Sequence, residues 1–175
     1  MDRTPHQIVN PLSLADPVGF SHALVVRPGQ VIRVGGQIAR RSDGRVAGKS
    51  VVEQFDRALA NLVEALRAAG AEPAHVVDMC VYTTSMRSYR VNSGTIGSVY
   101  RRHMGRYYPP MAVVGVTDLL EPGALVALVC TAVVPETGED GLIDGAEARE
   151  LVEEAEETLA TGPFAVTGSG RRNVP

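Results

Sequence analysis

The chain has no tryptophan, two cysteines and few aromatic residues, 5% of its 175 positions. Cys80 and Cys130 are too few for a disulfide framework and lack metal-ligand spacing, so both are expected as buried thiols of a reducing compartment. No His-x-Glu, His-x-x-x-His or Cys-x-x-Cys grouping occurs, so no metal site is expected. Lys49 is the sole lysine. Its Gly-Lys-Ser setting imitates the end of a phosphate loop, but Gly44 stands one position too close to Gly48, and Ser50 reads better as a helix cap. No apolar run reaches the ~18 residues of a membrane helix, so no membrane partner is expected. The opening "MDRTPHQIVNPLSLADP" has no long apolar core, which argues against a secretory signal and makes the cytoplasm the default. A net charge of -3 gives no general attraction to nucleic acid.

What is present fits one globular domain with tails: 45% hydrophobic and 21% charged residues. Residues 1–16, with Pro5 and Pro11 and little periodicity, are expected as an extended arm, with His6 lying in it. "FSHALVVRPG" and "VIRVGGQIA" alternate around a Pro-Gly turn and predict a hairpin or meander. Ser50 and Glu53 form a capping-box pattern, Val52, Phe55, Leu59, Leu62, Val63 and Leu66 recur at helical spacing, and Gly70 closes the helix. "HVVDMCVYTTS" predicts a strand, after a loop that holds His75. "YRVNSGTIGSVYRRHMG" predicts a second helix weakened by Gly94 and Gly97. "PMAVVGVTDL" and "ALVALVCTAVV" predict two more strands around the turn "LEPG". This order means an α+β fold, a mixed sheet with two helices on one face. Residues 136–175 read as a C-terminal extension with an acidic amphipathic helix, in which Ala148, Leu151, Val152, Ala155 and Leu159 share a stripe and Phe164 could reach a neighbouring subunit's cleft.

The pieces "GFSHA", "VGGQIA", "FDRALANLVEALRAAGA", "HVVDMCVYTTSM", "VYRRHMG", "YPPMAVVGV" and "PGALVALVCTAVV" stand in an order and spacing that resemble the Rid family, also called YjgF or L-PSP, across residues 17–135. The resemblance implies a chorismate-mutase-like fold, a homotrimer with clefts between subunits, and cofactor-free hydrolysis of reactive imines and enamines to ketones and ammonia. In the family's deaminases, the strand after the proline opens with the arginine that grips the substrate carboxylate. Met111 stands there in this chain. By the same resemblance Phe20 replaces a tyrosine, Gly35 a serine, Val113 a cysteine and Val129 a glutamate, while Asn92 or Gly97 falls at an asparagine position. The losses are mutually consistent, because burying the glutamate without its arginine would cost roughly 3–5 kcal/mol.

The expected cleft is therefore an apolar pocket of Phe20, Gly35, Gly36, Gln37, Met111, Val113 and Val129, with Tyr89, Asn92 and Arg101 as its candidate catalytic groups. Met111 fits a pocket wall and a trimer-core filler equally well. Alternation sets Cys130 on the opposite face from Val129, as a buried thiol rather than a nucleophile. Arg101, Arg102, His103 and Arg106 close the second helix, where cations complement the helix dipole and cap carbonyls. The expectation is a small-molecule ligand, an imine, enamine or keto compound, handled without the arginine-dependent mechanism. The alternatives are a non-catalytic ligand-binding or interaction trimer and, last, an endoribonuclease using Arg101, Arg102, Arg106, Tyr107 and Tyr108 as a local patch.

Overall fold

The computed structural model describes residues 4–136. The expected acidic helix and the Phe164 segment lie outside the described residues. The elements run β1 (Gln7–Val9), β2 (Ala23–Val25), β3 (Gly29–Gln37), α1 (Val51–Ala68), β4 (Val76–Thr83), α2 (Met86–Val91), α3 (Ser93–Met104), β5 (Met111–Gly115) and β6 (Val126–Pro135). A four-stranded sheet has the order β3-β6-β4-β5. β6 is antiparallel to both β3 and β4, while β4 and β5 are parallel. A parallel pair needs a crossover, and α2 with α3 supplies it. The sheet is mixed and the class is α+β, as the sequence predicts.

α1 is specified at both ends. The Ser50 hydroxyl accepts the Glu53 N–H at 3.2 Å, and the Glu53 carboxylate accepts the Lys49 and Ser50 N–H groups at 2.8 and 3.0 Å. Those backbone donors, Lys49 first, hold the Glu53 carboxyl below the usual carboxylate range. At the other end Gly70 takes a φ of +82°, and the Gly70 and Ala71 N–H groups reach back to Arg67 O and Leu66 O. This is the Schellman closure that glycine makes inexpensive. Between the caps Phe55, Leu59, Leu62 and Leu66 are fully buried, each contributing about 1.5–3 kcal/mol by leaving water. They pack on Ile32, Val34, Met79, Val81, Leu128 and Cys130 of the sheet, with Ile96, Val99, Tyr100 and Met104 of α3 beside them.

Three expectations are corrected. The arm is not featureless: β1 pairs antiparallel with β2, because "QIV" alternates and finds "ALV" opposite it. β2 and β3 do not form the expected hairpin. β2 joins β1 in a separate two-stranded sheet, while β3 takes β6 as its partner. The second helix is broken at Asn92, whose backbone sits at φ −101°, ψ 15° and whose side-chain Nδ2 donates to Ser88 O at 2.8 Å. Asparagine competes for backbone partners in this way and interrupts helices.

His6 is also more than an arm residue. It is buried, its Nδ1 accepts the Arg27 N–H at 3.2 Å, and its Nε2 lies 3.1 Å from Val133 O. With Nδ1 accepting, Nε2 must carry the proton, so the ring is held neutral. Burial, above all, pushes its pKa below the ordinary histidine value. His75 closes a 3-10 turn (Pro73–His75), its Nδ1 accepting the Glu72 N–H.

Candidate functional site

The prolines before β5 do a specific job. Pro109 O accepts the Ser21 N–H and Pro110 O accepts the Met79 N–H, both at 3.2 Å. Only carbonyls are used there, so residues without an N–H cost the ladder nothing. The Ser21 hydroxyl donates to Tyr108 O at 2.6 Å, tying the Phe20 segment to the same turn.

The register then decides where each candidate points. Met111 pairs with Met79 and Val113 with Val81, so both lie on the helix-covered side. Met111 packs against the core cluster, and Val113 stays partly open at the sheet edge. Val129 pairs with Cys80 on the other face, and Cys130 with Met79 on the helix side. Burial pushes the Cys130 thiol up to about 12, the state of an unreactive buried thiol.

Gly35 and Gly36 fall in the register irregularity between Val34 and Gln37, where a Cβ on Gly36 would lie 3.9 Å from Val129 Cγ1. Gln37 donates its Nε2 to Gly35 O at 3.2 Å. Gly36 and Val129 therefore meet, and Met111 and Val113 look the opposite way. Phe20 stands apart, edge-on to His22 at 5.3 Å. Within one chain the seven expected pocket residues do not share one cavity.

The polar candidates do not converge either. The Tyr89 ring packs edge-on against Phe55 at 6.0 Å, and burial raises its hydroxyl to about 12. Asn92 spends its amide on Ser88 O, and Arg101 donates to the Ser98 hydroxyl at 3.2 Å. Arg102 and His103 reach across to α1, at 2.7 and 2.6 Å from an Asp56 oxygen. Desolvation works to raise the Asp56 pKa, but the His103 and Arg102 hydrogen bonds outweigh it and keep the carboxyl below its ordinary value. These cations join two helices rather than form an open groove.

Phe20 does line a cavity of about 400 Å³, together with His6, Ser21, Arg106, Tyr107 and Tyr108. Its wall is rigid. Tyr100 stacks on Tyr108 at 4.7 Å, the Tyr100 hydroxyl donates to Tyr107 O at 3.0 Å, and the Tyr107 hydroxyl donates to Val76 O at 2.7 Å. The part played by His6 was missed from sequence. The only signal was a histidine directly before the alternating "QIV".

The uncovered face of the four-stranded sheet carries Val31, Arg33, Ala127, Val129, Thr131, Cys80, Tyr82, Ala112 and Val114, and Val31 is 61% exposed. Val133, which pairs with Val31 on this face, is buried. Among the described residues no group of three or more histidine, cysteine or acidic side chains could hold a metal ion, and no helix is long and apolar enough to cross a membrane.

The fold recurs in solved structures. The chain is similar to the Rid-family protein YyfB from Yersinia pestis, described as of unknown function, with 30% identity and a TM-score of 0.67 over 77% of this chain and 100% of that one. It is similar to a YjgF/YER057c/UK114-family protein from Mycobacterium tuberculosis, with 28% identity and a TM-score of 0.51 over 74% and 99% of the two chains. RidA from an Antarctic Psychrobacter shares the fold at 20% identity, with a TM-score of 0.53 over 77% of this chain and 96% of its own. The family described as Endoribonuclease L-PSP matches residues 13–134. The chain belongs to this L-PSP family, the Rid/YjgF group. No curated protein matches it.

Proposed function

We propose that the chain is a homotrimer of the Rid type in which an apolar cleft between subunits takes up a small, uncharged imine, enamine or keto compound, without the family's arginine-dependent deamination. The observation that carries this reading is Met111. It occupies the start of β5, where the resemblance places the substrate-gripping arginine, and it packs against the core instead of offering a charge. On the opposite face Val129 provides no carboxylate. A subunit boundary suits this division of residues. The open face of one chain, with Val129 and Gly36, can meet the β5 edge and Phe20 of another, and the exposed apolar side chains on that face favour a second copy.

A second reading, a ligand-binding or interaction trimer without catalysis, is favoured by the separation of Tyr89, Asn92 and Arg101. Catalysis by proton transfer needs its groups within hydrogen-bond reach of one atom. The ribonuclease reading has less support, since Arg102 and His103 are engaged with Asp56.

The test is a pair of NMR titrations of the full chain, following the amides of Phe20, Gly36 and Val129. A neutral ketone, 2-butanone, is compared with the similar-sized anion 2-oxobutyrate. The reading predicts that the neutral ketone moves these amides at a concentration no higher than the anion needs. Shifts caused by the anion alone would overturn it. A response to neither compound would favour the interaction trimer.

A further inference from the structure

A second cavity, which shares only Gln37 with the cleft residues already discussed, gathers positive charge. The chain leaves β3 and turns back on itself, with Arg40 bridging Val46. The Arg41 N–H donates to Arg45 O at 2.9 Å and the Gly44 N–H to Arg41 O at 3.0 Å, with Gly44 at a φ of +82°. α1 holds this turn in place. Asn61 Nδ2 donates to Ile38 O at 3.0 Å and to Arg40 O at 2.9 Å, and Arg57 Nε donates to Arg40 O at 3.4 Å. Between turn and helix lies a cavity of about 440 Å³, with Arg40, Arg41, Ser42 and Arg57 around it and Ala65 and Ala68 on its helical side. The alanines leave the space open, where longer side chains at the same spacing would fill it.

The charges in this cavity are unbalanced. Its guanidinium groups face a single lining carboxylate, Glu64, which makes no ion pair among the described residues. Arg40 is paired with Glu121. Arg41 has no side-chain partner among the described residues, and Arg57 uses only its Nε, leaving both Nη nitrogens unengaged there. Like charges held together repel, and a bound anion relieves the repulsion.

We infer that this cavity binds a small phosphate monoester, with the Arg41 and Arg57 guanidinium groups gripping the phosphate. A tetrahedral dianion offers oxygens to two planar forks at once, whereas a monocarboxylate satisfies one. Ser42 adds a hydroxyl donor. Gln37, with its Nε2 committed to Gly35 O, has its Oε1 left to accept from a ligand hydroxyl or amine. Glu64 at the same cavity repels a second phosphate, which selects a ligand with one phosphate and a neutral or cationic end over a polyphosphate. The site goes beyond the cleft reading and does not depend on it.

The experiment is calorimetric titration of the full chain with glycerol 3-phosphate, with acetate and a short oligoribonucleotide as comparisons, all at one ionic strength. The wild type should bind the phosphate ester about tenfold or more tightly than acetate. Arg41→Gln/Arg57→Gln should weaken that binding by a similar factor, about tenfold, while Arg87→Gln, at an exposed position of α2, leaves it unchanged. Arg41→Gln alone, which breaks no described contact, decides the matter if the double variant folds poorly. Absent binding by the wild type, equal binding by wild type and variants, or tighter binding of the oligoribonucleotide would each overturn the inference.

Discussion

At the scale of the residue, two buried polar side chains hold segments that the hydrophobic pattern leaves unassigned. Gln54, 2% exposed, donates its amide to Gly48 O at 3.1 Å and Gly123 O at 2.9 Å and accepts the Leu125 N–H at 2.7 Å. It fastens the turn before α1 and the Pro-Gly turn before β6 to one side chain. Gln54→Leu keeps the volume but strands these backbone groups, and should cost about 1–3 kcal/mol in chemical denaturation. Nothing in the sequence separates Gln54 from an ordinary polar helix position, because its partners are backbone atoms brought near only by the completed fold.

His6 makes a pH-dependent contact. Its folded pKa is lowered, chiefly by burial, so its contribution to stability is full above the unfolded value near 6.5 and declines as pH falls through the folded one. Protonation at Nδ1 also removes the acceptor for the Arg27 N–H. Hydrogen exchange at the Arg27 amide should therefore quicken, after correction for intrinsic rates, as pH falls through the folded value, which lies below the ordinary histidine range. His6→Ala should remove that dependence. A protection factor flat from neutral to acid pH in the wild type would contradict the assignment.

At the scale of the element, legibility follows how local the determinants are. α1 was readable from end to end because cap, apolar stripe and closing glycine all lie within its own sequence. β1 and its pairing were not, because three-residue strands carry little alternation and β2 could equally have paired with β3. The break between α2 and α3 was half legible: Gly94 and Gly97 signalled weakness, but the interruption belongs to Asn92. Gly94 offers a check, since a Cβ there meets nothing within 4 Å and its φ is not positive. Gly94→Ala should stabilise the chain by about 0.5–1 kcal/mol through a less flexible unfolded state, visible as a raised denaturation midpoint.

At the scale of the whole molecule, the family resemblance pointed to the α+β fold that the structure has, and the alternation rule set Val129 and Cys130 on opposite faces, as found. The candidate pocket was less legible, because family position says which residues matter without saying which face of which copy they occupy. Met111 and Val129 lie on opposite faces of the sheet, so the proposed common cleft requires that copies of the chain associate. Self-association through the open sheet face follows as an expectation: sedimentation should give three chain masses. Val114→Lys, which adds an ammonium to that face, should shift the protein toward monomer, whereas a monomeric wild type would remove the basis for a shared cleft.

The central claim is that the L-PSP fold persists here while arginine-dependent imine chemistry does not. The most direct measurement is ammonia release from freshly generated 2-iminobutyrate by the wild-type protein, beside buffer and beside Met111→Arg. The account predicts a wild-type rate indistinguishable from buffer. Acceleration by the wild type would contradict it and require another cation to do the work that Met111 cannot.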